Sequence, residues 1–172
     1  AQLFNAVQAS NLVMVYGASG TGKTSLINCG LGNKFQTSDW LPIFVRRHNN
    51  INQSLLRELD KRFDTLANFD PSQPVRHLVR TLYLDHYRPL YLIFDQFEEL
   101  YIMGSKQEQK HFHRTISDLL QAGLQCKMLF IIREEYLAYL ADFEKAVPSL
   151  FDNRLRIEKM NKFIEDNFSE VD

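Results

Sequence analysis

The chain has 172 residues, 45% of them hydrophobic and 24% charged, a net charge of −1 and a pI near 6.6. This is the composition of one globular domain with a sizeable core. It excludes a basic field that would call for nucleic acid as an obligate partner. It also excludes a membrane span, since no apolar run nears the roughly 18 residues required. Cys29 and Cys126 stand apart with no C-x-x-C, the pattern of two reduced thiols in a cytoplasmic protein rather than a disulfide.

Taken in order, apolar runs and helical patterns alternate. Leu3, Phe4 and Val7 share a helical face at the start. Leu12–Tyr16 reads as a first, buried strand, and Thr24–Gly30 as the helix after it. Leu41–Val45 is a second strand, ending in Arg46-Arg47. Gln53–Phe63 and Val75–Tyr87 are helical, broken by Asp70-Pro71-Ser72. Leu90–Asp95 is a third strand, apolar until its terminal carboxylate. Lys106–Ala122 is a long helix with Phe112, Ile116, Leu119 and Leu120 inward. Lys127–Arg133 is a fourth strand, Glu134–Phe143 a helix, and Arg154–Ile157 a fifth, shorter strand. Met160–Phe168 starts another amphipathic helix. Continuous apolar strands alternating with helices predict an α/β fold, a parallel sheet covered on both faces. Helices at both ends with an apolar face and nothing left to cover it predict that residues 1–172 are one domain cut from a longer, multidomain protein.

Between the first strand and its helix runs Gly17-Ala18-Ser19-Gly20-Thr21-Gly22-Lys23-Thr24. Every fixed position of the phosphate-binding loop G-x-x-x-x-G-K-[ST] is filled. Small residues let successive backbone N–H groups face one concavity that holds phosphate oxygens. Lys23 supplies a charge for the outer phosphates and Thr24 a hydroxyl for Mg²⁺. The helix continuing through Ser25 aims its positive end at the same anion.

Asp95 lies where a parallel sheet places its ligands, at the carboxyl end of the third strand, and suits the carboxylate that holds Mg²⁺. Glu98 and Glu99 follow. Either can orient or deprotonate an attacking water, with Glu99 favoured; the alternative is a solvated acidic pair. Arg133 ends the fourth strand. If that strand lies between the first and third, its guanidinium faces the outermost phosphate and can sense it; the alternative is a structural pairing with Glu134, Glu135 or Asp95. His111 and His113 fall on different sides of a helix and read as surface residues rather than a metal pair. Arg46-Arg47 reads as an exposed loop pair, with a reach to nucleotide or a neighbouring domain as the alternative. Arg76, His77 and Arg80 form a solvated face.

Together, Gly17–Thr24, Asp95-Gln96-Phe97-Glu98-Glu99-Leu100, Ile132-Arg133-Glu134-Glu135-Tyr136-Leu137 and Asn153-Arg154-Leu155-Arg156 resemble the nucleotide-binding core of the STAND NTPases, in particular the bacterial group called novel STAND. The acid string also parallels that of the related NACHT domains. The resemblance implies a three-layer, AAA+-like P-loop fold with a five-stranded parallel sheet in the order 5-1-4-3-2. It implies ATP with Mg²⁺, slow hydrolysis and a signalling-switch role, flanking domains of the same chain as partners, and self-association on activation. Lys23 and Thr24 would contact phosphate and Mg²⁺, Asp95 would be the Mg²⁺ carboxylate, Glu99 the water-orienting acid and Arg133 the sensor. The competing expectation is a nucleotide-binding assembly module with little hydrolysis. No Asn-Lys-x-Asp string of the guanine-reading kind occurs, which favours adenine.

Overall fold

Five strands form the sheet: β1 (Leu12–Gly17), β2 (Leu41–Arg46), β3 (Leu90–Asp95), β4 (Cys126–Arg133) and β5 (Arg154–Ile157). This is a computed structural model, and it describes residues 2–64 and 69–158. All neighbours are parallel, in the order β2-β3-β4-β1-β5. Read from the other edge this is 5-1-4-3-2, the order the sequence resemblance implies. β1 and β3 therefore lie on either side of β4, with Gly17 opposite Arg133 and Arg46 opposite Asp95 at the carboxyl ends.

Strand alternation sends successive side chains to opposite faces, and both faces are covered. On one side, Val13, Val15, Ile93, Leu129 and Ile131 pack under α1 (Gln2–Ala9) and α2 (Lys23–Gly32) through Leu3, Val7, Ile27 and Leu31. On the other, Met14, Leu92, Phe94, Met128 and Phe130 pack against α3 (Ile51–Asp60), α4 (Val75–His86), α6 (Lys106–Gln121) and α7 (Ala141–Ala146). The short α5 (Glu99–Met103) follows β3 directly. The result is three layers. No helix among the described residues is long and apolar enough to cross a membrane.

Local chemistry sets the boundaries. The Asn50 side chain accepts from the Asn52 and Gln53 N–H groups, so α3 starts two residues earlier than its apolar spacing suggests. Ser105 caps α6 through the Glu108 N–H. At edge strand β2 the alternation is plain: Ile43 and Val45 are buried while Phe44 and Arg46 are exposed. Arg62 of the α3 exit donates to the Pro42 carbonyl on this strand at 3.1 Å.

Several expectations need correction. Glu134–Phe143 is not one α-helix: Glu134–Leu140 is 3₁₀ and α7 begins at Ala141. Leu137 and Leu140 both pack on the core, and their three-residue spacing within this stretch suits the tighter winding. Arg47 is not exposed. It turns into the core, where Nε and Nη2 donate to the Glu108 carboxylate at 3.0 Å each. The same carboxylate accepts from the Ile51 N–H at 2.7 Å, so one buried acid joins β2, α3 and α6. The face of Arg76, His77 and Arg80 is open to solvent as expected, and on it Arg76 makes a half-exposed pair with Asp118 of α6 at 2.7 Å. His113 is 3% exposed rather than on the surface. Its ring stacks on Phe143 with centroids 4.5 Å apart, and Nε2 shares a 2.8 Å hydrogen bond with the Tyr101 hydroxyl. The predicted Met160–Phe168 helix lies outside the described residues.

Two tests follow from this packing. Burial pushes the His113 imidazole down to about 4, with nearby Asp142 pulling the other way and Lys106 adding to the shift. The unfolded chain takes up this proton near pH 6.5 and the fold refuses it until about pH 4, so stability drains away as pH falls through that window. The expected difference is about 2–3 kcal/mol between its ends, read as the change in the pH slope of urea unfolding when wild type is compared with His113→Gln. Separately, a Cβ on Gly17 would sit 2.5 Å from the Ile157 carbonyl oxygen on β5. Gly17→Ala is expected to lower the melting temperature by about 4–8 °C, because backbone on both sides of the clash must move.

Candidate functional site

The site is built at the carboxyl edge of the sheet, where β1, β3 and β4 end side by side. Leaving β1, the chain turns through Gly20 at φ +74° and Gly22 at φ +78°, values that suit glycine. Gly22 immediately precedes α2 and no side chain caps that helix. Its first N–H groups are therefore left for an anion.

Lys23 lies back across its own loop. Its Nζ donates to the Ala18 carbonyl at 2.9 Å and the Gly17 carbonyl at 3.2 Å. The Thr21 hydroxyl also donates to Ala18, at 2.8 Å, and closes the turn from inside. The carbonyl contacts hold the ammonium at the rim, where an incoming phosphate oxygen can take their place.

Asp95 joins this loop to β3. The Thr24 hydroxyl donates to Asp95 Oδ1 at 2.9 Å across 71 positions of sequence. The Gln96 N–H donates to the same oxygen, also at 2.9 Å. Gln96 has φ +48°, a left-handed conformation that is strained for a residue with a side chain. The turn is fixed from behind: the Phe97 N–H donates to the Ile131 carbonyl at 2.9 Å, and the Phe97 ring lodges among Phe94, Phe112, Phe130 and Phe143.

With Phe97 driven inward, the two glutamates diverge. Glu98 turns to the loop side and is 5% exposed. Its Oε1 lies 3.4 Å from Arg133 Nε, while Oε2 is buried with no hydrogen-bond partner among the described residues. Glu99 turns toward β2, where Oε1 accepts from Arg46 Nη2 at 2.8 Å and Nε at 3.2 Å. That carboxylate, first among the causes, holds the Arg46 guanidinium above its usual range.

A cleft of about 270 Å³ results, lined by Ser19 through Ser25 and by Asp95, Gln96, Glu98, Ile131 and Arg133. Of the residues singled out from sequence, the structure brings Ser19, Gly20, Thr21, Gly22, Lys23, Thr24, Ser25, Asp95, Glu98 and Arg133 into this one space. Gly17 and Ala18 stand behind it and offer carbonyls to Lys23. Glu99 is outside it. Gln96 and Ile131 also line the cleft, though the sequence does not single them out as site residues. Arg46 is exposed, as its loop-pair reading expects, lies outside the cleft and clasps Glu99 from the strand end level with Asp95. A larger hollow of about 730 Å³ beside α4 and α6, walled by Pro71, Pro74 and Arg114 among others, lies away from these groups. The cleft combines a backbone anion cradle, one ammonium, one guanidinium, a hydroxyl–carboxylate pair and a buried acid. That inventory suits binding a polyphosphate and positioning water at its outer end.

Solved structures support the fold. The chain is similar to the ORC1 protein of Aeropyrum pernix in complex with DNA, with a TM-score of 0.60 at 16% identity over 98% of this chain and 47% of that one. It is similar to the A. pernix ORC2 protein in ADPNP–ADP complexes, with a TM-score of 0.57 at 16% identity over 91% of this chain and 44% of that one. Cdc6p from Pyrobaculum aerophilum gives a TM-score of 0.54 at 15% identity, over 91% of this chain and 42% of that one. The chain thus spans less than half the length of these structures. No curated protein matches it. The model of the family described as Novel STAND NTPase 1 matches residues 1–164, nearly the whole sequence. With its loop, its acid turn and its 5-1-4-3-2 sheet in place, the chain belongs to that family, and it is a P-loop NTPase nucleotide-binding domain.

Proposed function

We propose that this domain binds ATP with Mg²⁺ and hydrolyses it slowly, its ATP and ADP states biasing the arrangement of flanking domains in a longer protein. The observation that carries the reading is the 2.9 Å hydrogen bond between Thr24 and Asp95. It sets a hydroxyl and a carboxylate together beside the anion cradle, the hard oxygen donors that Mg²⁺ prefers. Among the described residues no cluster of three or more His, Cys, Asp or Glu side chains could cage a metal. That fits a cation held by one or two protein oxygens, substrate phosphates and water. Bound by Thr24 and Asp95, Mg²⁺ would neutralise charge on the outer phosphates.

The chain's own residues do the rest. Backbone N–H groups from Gly20 to Thr24 hold the inner phosphates. Lys23 leaves the Gly17 and Ala18 carbonyls for the outer ones. Arg133 reads the terminal phosphate, and one of the paired acids Glu98 and Glu99 orients the water. Adenine is favoured over guanine because no Asn-Lys-x-Asp string occurs. A slow rate suits a switch, since the bound state must outlast the signal it reports. Localisation in the cytoplasm and self-association on activation belong to the same reading.

A second reading, an assembly module in which nucleotide is structural, draws on the capture of Glu99 by Arg46. It predicts that neither Glu98→Gln nor Glu99→Gln lowers turnover.

The test is calorimetric titration of the full-length protein with Mg-ATP and Mg-ADP. Lys23→Ala is expected to weaken ATP binding by about 100-fold, the loss of charged hydrogen bonds to phosphate at about 1.5–3 kcal/mol each. Chelating the metal should stop hydrolysis. Undiminished ATP binding by Lys23→Ala would defeat the assignment.

A further inference from the structure

Two arginines flank the acid turn after β3, one from each neighbouring strand. They are not equivalent. Arg46, at the end of β2, grips Glu99 with two N–H groups on one oxygen, at 2.8 and 3.2 Å, and neither residue lines the cleft. Arg133, at the end of β4, touches Glu98 through Nε at a looser 3.4 Å and the half-exposed Glu135, a partner the sequence offered, through Nη1 at 3.9 Å. Arg133 and Glu98 both line the cleft beside Lys23 and Thr24. A side-chain oxygen of Glu98 is buried there without a partner among the described residues. The other buried side-chain oxygen without a partner among the described residues belongs to Asn52 on α3, which does not line the cleft. A carboxylate oxygen left bare in a phosphate cleft is an acceptor awaiting a donor that arrives with the ligand.

We propose that Glu98 is the catalytic acid that orders the attacking water, and that Arg133 passes from Glu98 to the terminal phosphate when ATP occupies the cleft. This rests on the ATPase reading above. The exchange follows from donor geometry and charge. A guanidinium offers five donors in a planar fork, and a terminal phosphate can engage two of them at once, which the single 3.4 Å contact with Glu98 does not. Once Arg133 leaves, both Glu98 oxygens are free to accept from water. ADP ends one phosphate short, so Arg133 stays on Glu98 and no acid is released. The Arg46–Glu99 pair faces the other way and holds the turn in both states.

The reaction balances without a further reactant. The water oxygen forms a bond to the terminal phosphorus, and the bond from that phosphorus to the bridging oxygen breaks. The bridging oxygen keeps the electron pair and leaves as part of ADP. The water proton passes to Glu98 and then to the inorganic phosphate or to solvent.

The two states differ in sign. In wild type, ATP has to break the Arg133–Glu98 pair and sit near the Glu98 charge, whereas ADP does neither. Glu98→Gln should therefore tighten a non-hydrolysable ATP analogue relative to ADP by about tenfold, and should lower single-turnover hydrolysis by about 100-fold. Arg133→Gln should shift the analogue-to-ADP ratio about tenfold the other way. In the double variant the gain from Glu98→Gln should be clearly smaller, because with the guanidinium gone only the relief of charge beside the phosphate remains. Glu98→Gln removes a buried charge without changing shape, so its melting temperature verifies folding, and Arg133→Gln tests the same exchange from a half-exposed position.

Calorimetry with the analogue and with ADP, on the full-length protein and the three variants, decides the matter. An equal effect of Glu98→Gln on both nucleotides, or a gain undiminished in the Arg133→Gln background, overturns the exchange. A larger loss of turnover in Glu99→Gln than in Glu98→Gln overturns the catalytic assignment. If wild type binds and hydrolyses ATP while these variants fail to separate, this inference alone is lost. If wild type binds neither nucleotide, the ATPase reading falls and takes the exchange with it.

Discussion

β1, β3 and β4 are buried on both faces, so a polar side chain can leave them without burial cost only at an end. Parallel pairing then brings the three carboxyl ends to one level, with the phosphate loop after β1, Asp95 after β3 and Arg133 closing β4. An antiparallel neighbour would carry one of these groups to the opposite edge. The site is thus a consequence of how the core is covered, and the hydrogen bond from Thr24 to Asp95 measures how closely the ends coincide.

The acid turn shows the same logic on a smaller scale. Asp95-Gln96-Phe97-Glu98-Glu99-Leu100 alternates between what the core accepts and what it rejects. Phe97 and Leu100 are buried in the apolar layer, which rotates the intervening glutamates to opposite sides. The aromatic cluster around Phe97 includes Phe143 of α7.

Much of this was legible in the sequence. The phosphate loop announces itself through fixed spacing, and the strands through unbroken apolar runs that only a two-faced sheet explains. The family resemblance added the strand order. What could not be read was the fate of individual charges. Glu98 and Glu99 are adjacent and chemically alike, and one residue's rotation about the backbone decides which of them enters the cleft. Arg46 and Arg47 divide in the same way, since strand alternation keeps the first at the surface and turns the second inward to Glu108. His113 sits in a stretch, Lys106 to Arg114, that is mostly polar, and its burial depends on Phe143 of α7 and Tyr101 of α5, both outside that stretch. Local pattern reports periodicity; partners supplied by distant segments leave no local trace.

The contact between Arg62 and Pro42 has a meaning beyond the domain's interior. An open β-edge is a template on which another chain can add a strand, and β2 is such an edge. At Pro42 there is no amide hydrogen to offer, and the carbonyl is already engaged by Arg62. An incoming strand would find no donor at the second residue of β2, and an acceptor that Arg62 already engages. The outer edge of β2 is therefore blunted at its start as a template for a further strand, by a missing donor and a side chain laid across the backbone.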